Sequence, residues 1–269
     1  MHASITVVKI GGSTLGQHPD ESGLDDLAAL HAAGHRFVVV HGGGATISEW
    51  LERHGVESRF VRGLRATDER AIEVVVAVLA GLVNKQLVAE LQARGAQAIG
   101  LSGADGGILR ARRYDPELGF VGQIVAVDGD MLRAVVERDA IIVLAPIAVE
   151  MEGETFQPQL LNVNADTAAG EIAAALPAER LVFLTDVAGV MDGAGVVRSR
   201  LSAGEARELL DNGAVTGGMI PKMEAALRAA AAGVPTAIGD GRQAGALRRL
   251  LAAAPVEHTA TQPAGTRIS

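Results

Sequence analysis

Ile5-Thr6-Val7-Val8-Lys9-Ile10-Gly11-Gly12-Ser13 is a short β-branched run halted by two glycines, with a single lysine set inside it. A run of this kind, bounded by a turn signal, predicts a buried strand. The pattern returns at once. Phe37-Val38-Val39-Val40 runs into His41-Gly42-Gly43-Gly44, and the intervening residues, about 20–33, have helical spacing and stop at Gly34. Further outward, strands are predicted over 98–101, 140–149, 181–184 and 236–238. Helices are predicted over about 45–54, 68–94, 129–138, 166–176, 202–212, 219–232 and 243–253. Ser202 and Glu205 have the spacing of a capping box, which marks a helix start. Alternation of this kind predicts an α/β fold, a three-layer αβα sandwich with helices on both faces of a mainly parallel open sheet.

Two segments break the alternation. Residues 109–113 and 120–127 flank Tyr114-Asp115-Pro116-Glu117-Leu118-Gly119, a pattern that predicts a hairpin projecting from the sheet. Residues 71–83 are apolar on nearly every helical face, so that helix must be covered on several sides, inside the monomer or between subunits. The tail around Pro255 and Pro263 is expected to run over the surface.

At 269 residues the chain fits one domain, and its 48% hydrophobic and 21% charged residues supply a sizeable core. Lys and Arg number 24 against 32 Asp and Glu, a net charge of -8. That balance argues against nucleic acid and against anionic membrane surfaces as partners. Cysteine is absent, which removes disulfides, thiolate catalysis and thiolate-held metals together. No apolar run reaches the roughly 18 residues of a membrane span, and no leader pattern stands at the amino terminus. A soluble, cytoplasmic protein is expected. Aromatics make up only 3%, so the core must be aliphatic.

Three glycine-rich turns stand at strand ends or helix starts: Gly11-Gly12, Gly42-Gly43-Gly44 and Gly217-Gly218. Glycine lets a ligand approach backbone amides closely, and amides at a helix start add to its dipole to make an anion site. One such turn is ordinary; three at the carboxyl edge of an open α/β sheet mark a ligand crevice. Neither a Walker loop nor a dinucleotide fingerprint is present, so phosphates must be held by another arrangement. Lys9, one residue before a double glycine, is placed to reach that crevice. Lys222 lies in the first turns of a helix, where the dipole disfavours a cation unless an anion shares the site. Asn162, Asn164 and Asp166 alternate into a helix start, and a single cap accounts for one of the three. Arg65 lies in a predicted loop, either as a clamp for a carboxylate or as a solvated charge.

In this order the residues resemble the amino-acid kinase family, and within it the N-acetylglutamate kinases of arginine biosynthesis. The matching stretches are KIGGS (9–13), VHGGG (40–44), GLRATD (63–68), LVNK (82–85), GLSGADG (100–106), NVNADTAA (162–169), LTDVAGV (184–190), GGMIPK (217–222) and GTRI (265–268). The resemblance implies ATP-dependent phosphorylation of the γ-carboxylate of N-acetyl-L-glutamate. It also implies a lobe for the acyl substrate and for dimer contacts over about 1–177 and a nucleotide lobe over about 178–269. By the same resemblance Lys9 and Lys222 flank the transferring phosphoryl group, and Asp166 holds both ammonium groups. Gly11, Gly12 and Gly44 give amides to the phosphates. Gly43, Gly44, Arg65, Asn162 and Asn164 hold the acyl substrate, while Thr185, Asp186, Val190, Gly217, Met219 and Lys222 serve the nucleotide. Mg²⁺ is expected on the ATP oxygens, largely water-coordinated, with no protein metal ligands.

The chemistry accounts for the lack of a general base. A carboxylate nucleophile with a reference pKa of about 4.3 is already ionised at neutral pH, and the seven histidines form no cluster. His41 is expected only to shape its loop. The first strand begins within a few residues of Met1, without the helical extension of the arginine-inhibited, hexameric relatives. The expectation is therefore an arginine-insensitive homodimer, joined through the apolar helix, with the 109–127 hairpin as a lid over the substrate. Alternatives are a kinase for aminoadipate or glutamate on an acidic carrier protein, and an inactive nucleotide- or amino-acid-binding regulator. The net acidity and the GLRATD and NVNAD stretches disfavour the first; the retained lysines disfavour the second.

Overall fold

Val7 and Val8 belong to two different cores, one on each face of the first strand. The same split separates Val38 and Val40 from Phe37 and Val39 on the second strand, so both strands are buried on both faces. This is why they read as continuous apolar runs. The computed structural model describes residues 4–11, 23–192, 195–252 and 264–269.

The chain begins β1 (Ile5–Ile10), α1 (Gly23–Ala32), β2 (Arg36–His41), α2 (Gly44–Arg53), β3 (Arg59–Val61) and β4 (Leu64–Ala66). A long helix follows in three parts: α3 (Glu69–Val76), a π-helical segment (Ala77–Val83) and α4 (Asn84–Ala93). Next come β5 (Ala98–Ser102), β6 (Leu109–Arg113), β7 (Gly122–Val127), α5 (Gly129–Val136), β8 (Ile141–Ala145), β9 (Ile147–Glu152), β10 (Thr155–Asn162) and α6 (Ala165–Ala175). The carboxyl-terminal part holds β11 (Arg180–Thr185), β12 (Arg200–Leu201), α7 (Ala203–Asp211), α8 (Met219–Ala231), β13 (Thr236–Asp240), α9 (Ala246–Leu251) and β14 (Thr266–Ile268).

Eight strands form the main sheet in the order β12-β14-β13-β11-β1-β2-β8-β5, parallel except where β14 meets β13. One core lies under α5, α6 and α8; the other lies under α1, α2, the long helix and α9. The predicted α/β architecture is therefore present. So is the capping box at Ser202 and Glu205, with both of its reciprocal hydrogen bonds.

Several local expectations need correction. Residues 140–149 are not one strand: β8 ends at Ala145, and after Pro146 the chain leaves the main sheet as β9. Proline cannot donate to a ladder, so it marks the change of sheet. The 109–127 hairpin forms, but as β6 and β7 of a second sheet ordered β10-β9-β6-β7. Strands β3, β4, β10, β12 and β14 were not anticipated. Among them β14 corrects the surface-running tail, since Thr266 and Ile268 are fully buried against β13; Pro255 and Pro263 lie outside the described residues. The helix over Glu69–Ala93 is long and apolar enough to cross a membrane, contrary to the expectation from run length, and half of its most apolar window is buried inside the fold. Polar Asn84 and Lys85 interrupt the run, which is why counting consecutive apolar residues passed over it.

Candidate active site

Lys9 shares the face of β1 that carries Ile5 and Val7, the face covered by α6 and α8. Its ammonium therefore meets α6 instead of solvent. Lys9 Nζ lies 2.8 Å from Asp166 Oδ1, and Lys222 Nζ, from α8, lies 3.0 Å from Asp166 Oδ2. All three side chains are close to buried, at 9%, 7% and 12% exposure for Lys9, Asp166 and Lys222. Lys222 Nζ also donates to Gly218 O at 3.1 Å, which ties it to the glycine turn that begins its own helix. Two cations thus share one carboxylate and leave a local excess of positive charge. Such a centre is suited to an anion arriving between the lysines.

Backbone hydrogen bonds line up the turns around this centre. Gly42 N donates to Ile10 O, Gly11 N to Leu184 O and Gly241 N to Thr185 O. The turns after β2, β1, β11 and β13 therefore lie side by side at the carboxyl edge of the sheet, where α/β folds bind ligands. Gly12 lies outside the described residues. Thr185 is buried at the end of β11, and its hydroxyl donates to Asp186 Oδ1 at 3.1 Å. Gly217, at φ +56°, and Met219 form the turn into α8. Val190 differs from the expectation: its side chain is in the core, and its N–H donates to Thr266 Oγ1 at 2.8 Å.

Asn164 and Ala165, which precede Asp166, line a cavity of about 340 Å³. Gly43, Gly44, Arg65, Asn162 and Asn164 all line it, so the five residues expected to hold the acyl substrate converge on one space. Apolar walls come from Ile47, Leu79 and Val121, and Phe60 stands at the cavity too. Arg65 is not a loop residue but lies in β4, buried. Its Nη2 donates to Gly44 O and Ser48 Oγ, each at 2.9 Å, and its Nη1 bonds Ser58 Oγ. The Phe60 ring lies 4.6 Å from its guanidinium carbon. Burial lowers the Arg65 pKa from its ordinary value. Among the described residues no carboxylate lies within salt-bridge distance of Arg65. A buried guanidinium without a counter-ion beside a cavity is suited to a ligand's carboxylate.

Asn164 is the cap of α6, with Oδ1 accepting from Asp166 N at 2.9 Å and Thr167 N at 3.0 Å, so its NH₂ group is what remains for a ligand. Asn162 Nδ2 donates to Thr67 Oγ1 at 3.2 Å. Thr67 in turn holds the β6–β7 turn, accepting from Phe120 N at 2.7 Å and donating to Leu118 O at 2.9 Å. That tether corrects the expected lid. Only Val121 of the 109–127 hairpin lines the cavity, and the wall facing it is β3–β4, through Phe60, Gly63, Leu64 and Arg65. Phe60, Ser48 and Leu79 went unnoticed in the sequence because each is an ordinary helix or strand residue until the chain folds. A larger groove of about 580 Å³, around Arg112, Glu150 and Gln159, lies on the second sheet and shares no residue with this centre.

A mainly parallel α/β sheet, glycine turns at its carboxyl edge and two lysines on one buried aspartate define a phosphoryl-transfer protein of the kinase class. The chain belongs to the amino acid kinase family, whose model matches residues 4–240. It is 46% identical over 241 residues to the acetylglutamate kinase of Ruegeria pomeroyi, covering 89% of this chain and 82% of that one. It is 43% identical over 242 residues to the acetylglutamate kinase of Dehalococcoides mccartyi, covering 88% and 87%. Among solved structures it resembles smu.665 of Streptococcus mutans, with a TM-score of 0.80, 30% identity and 98% of each chain covered. The fold is also shared with carbamate kinase of Giardia lamblia bound to AMP-PNP, at a TM-score of 0.67, 15% identity, and 99% and 98% coverage.

Proposed function

We infer that this protein is an acetylglutamate kinase. It transfers the γ-phosphoryl group of ATP to the γ-carboxylate of N-acetyl-L-glutamate, a step of arginine biosynthesis. The observation that carries the reading is the adjacency of two sites at the start of α6. Asn164 and Ala165 line a cavity that also holds the buried Arg65 guanidinium, and Asp166, the next residue, holds Lys9 and Lys222.

In this reading Arg65 takes the α-carboxylate of the substrate, and the NH₂ groups of Asn162 and Asn164 orient its backbone. The apolar walls at Ile47, Leu79 and Val121 accept its methylenes and acetyl group. The γ-carboxylate is then directed at the lysine pair. It needs no base, being ionised already, and the barrier is the repulsion between it and the polyphosphate. Each ammonium about 4 Å from the transferring group offers roughly 4 kcal/mol of attraction at an effective dielectric of 20. Asp166 keeps both lysines aimed. Gly12 and Gly44 present amides to the phosphates, whereas the Gly11 amide, expected to do the same, is bonded to Leu184 O and only shapes the turn; Thr185, Asp186, Gly217 and Met219 border the nucleotide. The donors here are ammonium groups and backbone amides, which suit phosphate oxygens and not a cation. Mg²⁺ would therefore be carried by the nucleotide oxygens and would supply neutralisation of phosphate charge.

Residues to about 177 serve the acyl substrate and those beyond serve ATP, in the cytoplasm. The protein acts as a homodimer. The long helix leaves Val74, Val76, Ala80 and Leu82 half-covered, and Ile99 on edge strand β5 is 37% exposed beside it. An apolar helix face next to the outer edge of an end strand is a surface that a second copy would cover. The test of function is an assay with ATP, Mg²⁺ and N-acetyl-L-glutamate, trapping the acyl phosphate with hydroxylamine. Hydroxamate formation dependent on all three is expected, and its absence from folded enzyme overturns the reading.

A further inference from the structure

Asn84 puts a polar side chain, fully buried, into the apolar helix. Nothing in the reaction above uses it, yet its bonds are well defined. Nδ2 turns two protons to three acceptors: Val143 O at 2.9 Å takes one, and Leu101 O and His41 Nε2, each at 3.2 Å, share the other. Oδ1 accepts from Lys85 Nζ at 2.9 Å, and the same ammonium donates to Gly100 O at 2.9 Å. The carbonyls and the lysine together decide which end of the amide is which. Asn84 thus clamps the carboxyl ends of three neighbouring strands, β2, β8 and β5.

His41 is fully buried as well, and its Nδ1 lies 2.9 Å from Gly42 O. A carbonyl only accepts, so Nδ1 carries the proton and Nε2 is left to accept from Asn84. Burial also lowers the His41 pKa to about 4, which keeps the ring neutral. The helix supports the same loop at a second point. A Cβ on Gly43 would sit 2.6 Å from Leu79 Cδ2, in the π segment. The wider turn of a π-helix brings residues five apart, such as Leu79 and Asn84, towards one face, and both touch the loop.

We infer that Asn84 is a positioning residue: through His41 it locks the Gly42 carbonyl and so aims the Gly43 and Gly44 amides at the acyl pocket. The inference rests on the pocket being the acyl-substrate site, and its test separates the two. In folded wild-type enzyme with ¹⁵N-labelled histidine, NMR should show His41 as the neutral Nδ1–H tautomer. An Nε2–H tautomer overturns the inference, whatever the substrate proves to be.

Asn84→Ala should raise KM for N-acetyl-L-glutamate at least tenfold and leave KM for ATP within twofold. A variant that merely loses folded enzyme would lower kcat with both KM values unchanged, and that result overturns the inference. His41→Leu should match Asn84→Ala. His41→Asn, whose amide can still donate to Gly42 O, should hold the acyl KM within about threefold of wild type. Equal damage from His41→Asn and His41→Leu also overturns it. Should Asn84→Ala fail to fold, the tautomer and the His41 pair decide the matter.

Discussion

Asp166 has two carboxylate oxygens and gives one to each lysine, so neither ammonium spends its charge on a partner of its own. Sharing leaves net positive charge where the phosphoryl group must pass. In Lys222→Ala we expect kcat to fall by on the order of 100-fold or more, as for loss of one charge-stabilising donor. KM for ATP should change far less. A steady-state comparison checks this, and a loss confined to nucleotide affinity would make Lys222 a binding group only. His41 yields a prediction about stability. Its folded pKa, lowered to about 4, lies below the usual 6.5. Between those values the unfolded chain takes up a proton that the native state refuses, so stability falls as pH drops from about 6.5 towards 4. The loss is on the order of 3 kcal/mol when complete. Urea titrations at pH 7 and pH 4.5 should show a smaller decline in His41→Asn than in wild type. Lys9 was legible before folding, because a charge inside an apolar strand calls for a partner. Arg65 was only half legible, since its residue type suggested a clamp but nothing local showed that it is buried.

At the scale of elements, the lysine pair depends on how closely α6 and α8 approach. Gly170 lies one turn beyond Asp166, and a Cβ there would fall 2.8 Å from Ala225 Cβ and 2.9 Å from Ala225 O. Ala225 is itself about one turn beyond Lys222. The two helices therefore touch backbone to backbone beside the ion pair, which both sequences permit by being rich in alanine. Gly170→Ala should force them apart, cost about 1–3 kcal/mol by overpacking, and lower kcat as Lys222 is drawn away from Asp166. Thermal unfolding with kinetics on the folded enzyme tests this; unchanged kcat would show that the centre tolerates the shift. Most elements were legible from periodicity. The short strands β3, β4, β12 and β14 were not, because two or three residues carry no period and their partners are distant in sequence.

For the whole molecule, β11 pairs directly with β1, so the sheet runs unbroken from the segment assigned to the acyl substrate into the segment assigned to ATP. A rigid sheet holds the two sites in register, and opening must come from loops and helices at its edge. The half-covered helix face makes the last prediction. Leu82→Glu should convert a dimer to a monomer in sedimentation experiments at micromolar concentration, and a wild-type protein already monomeric there would refute the proposed assembly. The amino-acid sequence by itself determined the α/β alternation, the glycine turns and the identity of the charged residues that meet at the crevice, because each is written in local spacing and residue type. Only the tertiary structure decided that Lys9 and Lys222 share one aspartate, that Arg65 is buried with no carboxylate at salt-bridge distance among the described residues, and that β3–β4 supplies a cavity wall while the longer hairpin is tethered. Those facts depend on distances between segments far apart in the chain, and no local pattern encodes them.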